Sequence, residues 1–183
     1  MCSSDLTCPI EKQLDLLALQ LLSQVLMGHD ASQMKKFFLD SGLCSQASCL
    51  LDDEISEVPF SFIFKGVKKN KVKALEDSLF DELSKIARNG VDPKQIQLAL
   101  HQFEFSRLEI NKDDGPYGLN LFFRSCLPAH HGVDPLQGLS LPSLFKQLRQ
   151  KLKSPSYLKN LVKKYFLNNS HFVRLFLTPS TRS

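Results

Sequence analysis

A chain of 183 residues with 43% hydrophobic and 23% charged residues has the balance of a globular protein with room for one sizeable core. Its formal charge of +4 is modest, and its Lys and Arg residues are spread, with local excess only at Lys65–Lys73 and Lys146–Lys164. That pattern argues against a nucleic-acid-binding face, which concentrates basic residues with aromatics between them. The longest apolar runs are broken by Gln, Ser or Lys, so a membrane span is not expected.

Met1–Pro9 is polar and patternless, without the basic and apolar blocks of a signal peptide, and residues 1–10 are expected to be a disordered lead. The ordered domain is expected over residues 11–179, with 180–183 as a tail. Glu11–Met27 reads as a helix, because Leu14, Leu17, Ala18, Leu21, Leu22, Val25 and Leu26 recur at three and four residues. Gly28 ends it. Asp30 with Gln33 resembles a capping box opening a short helix to Asp40, closed by Ser41-Gly42. Cys44–Leu51 alternates weakly and is predicted to pair, antiparallel, with Val58–Gly66.

The best-specified stretch is Pro59–Ile110. Phe60, Phe62 and Phe64 alternate with Ser61, Ile63 and Lys65, which puts three rings on one face of a strand. Asn70 is the predicted cap of a helix whose buried stripe is Val72, Leu75, Leu79, Leu83 and Ile86. Asn89-Gly90 stops that helix, since Gly takes positive φ without a steric penalty. Asp92 then caps the next, with Pro93 at its first position, where a missing N–H costs nothing. Ile96, Ala99, Leu100, Phe103 and Arg107 share one face of it.

NKDDG (111–115) reads as a solvated connection. Tyr117–Cys126 is predicted helical with Leu119, Phe122 and Phe123 buried, ending at Pro128. The segment from Ala129 to Ser143 is rich in Gly and Pro and is expected to be a loop. Ser143–Lys153 is helical by its Leu144, Leu148 and Leu152 stripe, and Ser154-Pro155 opens a helix to Leu167. His171–Thr178 alternates as a strand, with Phe172, Arg174 and Phe176 on one side and Val173, Leu175 and Leu177 on the other, and is expected to be mostly buried. The fold class is therefore α+β, with helices packed on one face of a small, mainly antiparallel sheet. About three strands are few for so many helices. Missing strands and an open edge follow, and such an edge offers a route to oligomers.

No residue set specifies a self-sufficient active site. His130-His131 with Asp134 is the most tempting metal site, but a third ligand is unspecified, and an exposed loop pair accounts for it better. His29 reads as part of a helix junction, His101 as partly buried in a helix, and His171 as the start of a strand. Neither H-E-x-x-H nor H-x-x-E-H occurs, nor does a P-loop, a G-x-G-x-x-G turn or a G-x-S-x-G elbow. Cys2, Cys8, Cys44, Cys49 and Cys126 are an odd set without a CxxC pair. Reduced thiols in a reducing compartment such as the cytoplasm are expected. Cys44 or Cys126 as a nucleophile would need a positioned histidine. The Lys68–Lys73 cluster is read as a solvated basic face rather than an anion site.

Taken in order, four stretches carry a resemblance to a known family. They are LDLLALQLLSQVLMGHDASQMKKFFLDSGL, FIFKGVKKNKVKALEDSLFDELSKIARNGVDPKQIQLALHQFEFSRLE, GLNLFFRSCLPAHHGVDPLQGL and SPSYLKNLVKKYFLNNSHFVRLFLTP. From Leu14 to Pro179 the chain resembles the insulinase-like (pitrilysin) zinc metallopeptidases, in their presequence-protease branch. The resemblance implies a piece of an enzyme built from four related α+β domains around a peptide chamber. Zinc in that family sits in the first domain, on an H-x-x-E-H helix and a downstream glutamate. This chain resembles the later part of the second, non-zinc domain, so no catalytic, cofactor-binding or metal residue carries over. The implied role is a non-catalytic scaffold for degradation of unfolded oligopeptides, partnered by the remaining segments of the peptidase. The alternative is a stand-alone peptide- or protein-binding module that accepts a strand at the open sheet edge.

Overall fold

The computed structural model describes residues 2–53, 55–108 and 116–178. In chain order it contains β1 (Cys2–Pro9), α1 (Gln13–Met27), α2 (Gln33–Asp40), β2 (Gln46–Leu51) and β3 (Glu57–Lys65). There follow α3 (Val72–Asn89), α4 (Pro93–Leu108), α5 (Tyr117–Ala129), α6 (Pro135–Leu139), α7 (Leu141–Leu152), α8 (Ser156–Val162) and β4 (Phe172–Phe176). The strands form one antiparallel sheet in the order β2-β3-β1-β4. The α+β class and the predicted pairing of β2 with β3 are both present, with Phe64 opposite Ala47 and Phe60 opposite Leu51.

The lead expected to be disordered is instead a strand inside the sheet. β1 pairs along its whole length with β3, Leu6 opposite Phe60 and Cys8 opposite Val58, and on its other side Leu6 faces Phe172 of β4. Ile10 extends the ladder by donating its N–H to the Ser56 carbonyl at 2.9 Å. Leu6, Cys8 and Ile10 are buried. Three small or modest apolar side chains at period 2 give too weak a local pattern to stand out, and tertiary pairing decides the conformation. β1 also supplies one of the strands whose scarcity the sequence implied.

Pro59 sits inside β3 without breaking it. Its carbonyl accepts from Asp52 N–H at 3.3 Å, so its missing N–H faces the side on which β2 has already ended. The predicted rings lie on the helix-covered face. Phe60 and Phe62 pack against Phe166 at centroid distances of 4.8 and 5.6 Å, and Phe64 against Phe38 of α2 at 4.8 Å. Each fully buried ring contributes about 1.5–3 kcal/mol.

α1 lies between this sheet and the outer helices α4 and α7, touching β2, α2, α4, α7 and α8. Its burial goes beyond the predicted stripe, because Leu16 and Leu19 are buried as well. A wider apolar face is what a position between the sheet and the outer helices demands, while Gln13, Asp15, Gln20 and Gln24 keep a polar edge. α3 buries Leu75, Leu79, Leu83 and Ile86 as its period requires. Gly90 ends it at φ 85° with its N–H on the Ile86 carbonyl. Asp92 caps α4 through the Lys94 N–H at 3.0 Å.

Several local expectations are corrected. Ser32, not Asp30, stands at the N-cap of α2, and the Asp30 carboxylate pairs with Lys35 at 2.8 Å. Asn70 lies in a 3-10 turn (Lys69–Lys71) ahead of α3. The segment after Ala129 is not all loop: Asp134-Pro135 starts the short α6, and α7 begins at Leu141. The helix predicted to run to Leu167 changes to a π turn over Lys163–Leu167, which lets adjacent Tyr165 and Phe166 both be buried. β4 is an edge strand with Val173 and Leu175 exposed, not a mostly buried one. Leu119, Phe122 and Phe123 of α5, expected inside, are exposed. NKDDG and the 180–183 tail lie outside the described residues.

Because β1 joins β4 to the rest of the sheet, removing residues 1–9 is expected to abolish cooperative urea unfolding followed by circular dichroism. A sharp transition at an unchanged midpoint would contradict the central placement of β1.

Candidate functional site

The residues singled out by chemistry do not converge. His130 forms the C-terminal boundary of α5, its N–H on the Cys126 carbonyl, and the His131 N–H turns back onto Pro128. The Asp134 carboxylate accepts the Leu136 N–H at 2.9 Å and so caps α6. His29 lies in the α1–α2 junction, its N–H donating to the Ser32 hydroxyl at 3.2 Å. His101 is exposed on α4, not partly buried, because α4 turns only its Ala99, Leu100 and Phe103 side inward. His171 stands just before β4, with its N–H on Asn169 Oδ1 at 3.0 Å. Among the described residues, no three His, Cys, Asp or Glu side chains gather where they could hold a metal ion. The zinc implied by the resemblance therefore finds no ligand set in them.

Cys8, Cys44 and Cys49 are thiols in packed surroundings. Burial pushes Cys8 up to about 11 and Cys49 up to about 12, and raises Cys44 as well. Raised thiols carry little thiolate at neutral pH and are poor nucleophiles. Cys44 points its thiol at the Phe38 carbonyl, 3.7 Å away. Of the Lys68–Lys73 cluster, Lys71 reaches the Gly42 carbonyl at 3.2 Å, joining the start of α3 to the end of α2.

A polar cluster that pattern reading missed ties the two ends of the chain together. Asp15 Oδ2 on α1 accepts from Tyr165 Oη at 2.6 Å and from Lys164 Nζ at 2.9 Å, both from the π turn. Burial alone would raise the Asp15 pKa, but the hydrogen bonds from Lys164 and Tyr165, with the charges of Lys164 and Lys12, outweigh it and hold it low. Tyr165 is pushed up, first by burial and then by its bond to Asp15. Nearby, the Tyr157 hydroxyl is buried without a hydrogen-bond partner among the described residues, and burial raises it to about 12. The separation of about 150 residues along the chain explains why no local signal could reveal this cluster.

A cleft of about 380 Å³ opens between α1, α5 and α7. Gln20 Nε2 donates to Asp53 Oδ2 at 2.9 Å, and Arg107 approaches the same oxygen at 3.8 Å. The Arg107 guanidinium lies 5.5 Å from the Phe103 ring centroid, so its predicted inward face is only partly realised. On one side of the cleft α6 approaches α5 so closely that a Cβ at Gly138 would lie 2.0 Å from the Arg124 carbonyl oxygen.

Among the described residues, two surfaces with exposed apolar side chains stand out by their place in the fold. One is the sheet face turned away from the helices, carrying Leu50, Val173 and Leu175, which are 56%, 57% and 46% exposed. The other is the α5–α6 hairpin, where Leu119, Phe122, Phe123 and Leu136 are 46%, 57%, 43% and 66% exposed. On the sheet, Leu50 stands at the β2 edge and Val173 and Leu175 at the β4 edge, with β3 and β1 between them. On the hairpin, Leu119, Phe122 and Phe123 share one face of α5, as side chains of contact surfaces often do. Among the described residues, no helix is long and apolar enough to cross a membrane.

The fold is an α+β layer of helices on one antiparallel sheet. Comparisons with known proteins place that fold in a family. The family model for the peptidase M16 inactive domain matches residues 6–103, more than half of the chain. The chain belongs to the peptidase M16 family, the insulinase-like family that its sequence resembles, and falls in its inactive domain. It is 33% identical over 176 residues to presequence protease 1, chloroplastic/mitochondrial, of Arabidopsis thaliana, covering 92% of this chain and 16% of that one. It is 25% identical over 185 residues to the mitochondrial presequence protease of Danio rerio, covering 100% of this chain and 18% of that one. The chain thus spans less than one fifth of the length of these relatives. Two solved structures share the fold. A protease from Helicobacter pylori superposes with a TM-score of 0.69 at 22% identity, covering 97% of this chain and 41% of the other. The inactive peptidase domain of a Bordetella parapertussis protein, classed provisionally as a zinc protease, gives 0.69 at 15% identity, covering 99% and 94%.

The cluster makes paired predictions. Tyr165→Phe strips a donor from Asp15 and is expected to lower stability by about 1–2 kcal/mol, whereas Tyr157→Phe leaves it unchanged or slightly raised. Because the folded pKa of Asp15 lies below its ordinary value of 3.8, its contribution is complete above that value and is lost as pH falls through the folded pKa. The stability gap between wild type and Asp15→Asn should therefore be constant near neutrality and close below pH about 4. Urea titrations at several pH values measure it; a gap that widens in acid would refute the arrangement.

Proposed function

We propose that this chain is a non-catalytic segment of a presequence-protease-like zinc metallopeptidase that degrades unfolded oligopeptides. It helps enclose the space in which peptides are cut, while zinc and catalysis come from segments outside this sequence. The observation that carries the reading is the match to the inactive domain of the family, coupled with the lack of a metal-ligand group among the described residues. The exposed α5–α6 hairpin and outer sheet face support it, since both suit packing against further segments of such an enzyme. Free thiols at Cys8, Cys44, Cys49 and Cys126 favour a reducing compartment.

A second reading, a stand-alone module that binds a peptide or protein by adding a strand to the sheet, is favoured by one observation. Among the described residues, β2 and β4 each have a neighbour on one side only, so their outer edges offer backbone donors and acceptors for pairing.

Co-expression with the segment of the same enzyme that bears H-x-x-E-H separates the two. The scaffold reading expects a co-purifying complex and peptide cleavage at least tenfold faster than that segment alone. Failure to associate, with peptide binding by the lone chain intact, would favour the module instead.

A further inference from the structure

A pocket of about 530 Å³ lies where the α3–α4 turn meets the α7–α8 turn, apart from the Asp15 cluster and the cleft between α1, α5 and α7. Its volume is in the range of sites for small molecules and short peptides. Among the described residues, Ile86, Leu100, Leu152 and Leu158 give it an aliphatic lining with no aromatic side chain in the wall, and three basic residues, Arg149, Lys153 and Lys159, line it with no acidic one. Gln97 and Ser154 add neutral hydrogen-bonding groups.

The cationic side of this pocket is held in place by the fold. The Lys159 stem lies across Gly90, its Cε 2.9 Å from where a Cβ would sit, and Gly90 itself has φ +85°. The ammonium donates to the Arg88 carbonyl at 2.9 Å, in the last turn of α3. A Lys ammonium has three N–H groups, so two remain available. Arg149 is paired with Glu104, which keeps part of its guanidinium fork unused. Lys153 is exposed at the start of the α7–α8 turn. A ligand matching this lining has an aliphatic body, one anionic group at its end, and amides that can meet Gln97 and Ser154.

We propose that the pocket receives the carboxyl terminus of an unfolded peptide whose last residue is aliphatic. The side chain of that residue enters the leucine-rich lining, and the terminal carboxylate meets Lys153 and Lys159 as a charge-assisted pair. Gln97 and Ser154 hydrogen-bond the peptide backbone. An acyl chain would satisfy the apolar lining but leave the amide and hydroxyl groups unmatched, which favours a peptide. The assignment rests on the peptide-handling reading above and adds a preference for free, aliphatic carboxyl ends.

The test uses the full 183-residue chain and fluorescence polarisation. The probe is an N-terminally labelled hexapeptide ending in two leucines, made once as the free acid and once as the carboxyl-terminal amide. The acid is expected to bind roughly tenfold tighter than the amide, with the difference shrinking in high salt. Lys153→Glu, an exposed change that should leave the thermal midpoint unaltered, is expected to weaken the acid by about tenfold and leave the amide unaffected. Equal binding of acid and amide, or no binding of either, overturns the proposal. Binding of sodium dodecanoate but of neither peptide overturns it in favour of an acyl-chain site. Acid-selective binding without restored cleavage in the co-expression experiment supports the pocket and removes the chamber role, so the two failures are distinguishable.

Discussion

Pairing of β1 with both β3 and β4 is the constraint on which the rest of the structure depends. Leu6 faces Phe60 on one side and Phe172 on the other, so a residue near one end of the sequence joins the centre of the chain to its last strand. The Asp15–Tyr165–Lys164 cluster then fixes the π turn against the first turn of α1, which decides where the chain enters β4. Arg174 of β4 pairs with Glu76 of α3, tying the edge strand to the helical layer. Each contact has a large sequence separation, so ordering them requires long loops to close before the contacts form.

With β1 in place the sheet has two unlike faces. The inner face meets α1, α2 and the π turn through Phe38, Phe60, Phe62, Phe64 and Phe166, all of them buried. The outer face keeps Leu50, Val173 and Leu175 in the open, and the α5–α6 hairpin does the same with its aromatic side chains. Helices cover one face, while the other leaves apolar side chains exposed at both sheet edges. The functional proposal draws on family membership first and on that asymmetry second.

Legibility in the sequence tracked how local each cause was. The Phe60–Phe64 alternation, the α3 stripe, the Asp92-Pro93 start and the Gly90 stop were all readable, because each is set within a few residues. β1 was not, since Leu6 and Cys8 are a faint pattern until β3 and β4 flank them. The α5 error has a different source. Its apolar side chains do have helical spacing, but spacing cannot tell whether such a face meets the chain's own core or is left for another surface. Leu16 and Leu19 err in the opposite sense: a stripe was legible, and only the central position of α1 buries the other side too. The Asp15 cluster and the aliphatic, basic pocket join residues from distant elements, so neither leaves a motif.

The central claim is that this chain is a scaffold that cuts no peptide by itself. Hydrolysis of an internally quenched fluorogenic peptide by the purified chain, with equimolar zinc supplied, tests it most directly. The account predicts a rate equal to that of buffer with zinc. Turnover that scales with chain concentration and is abolished by a chelator would contradict it.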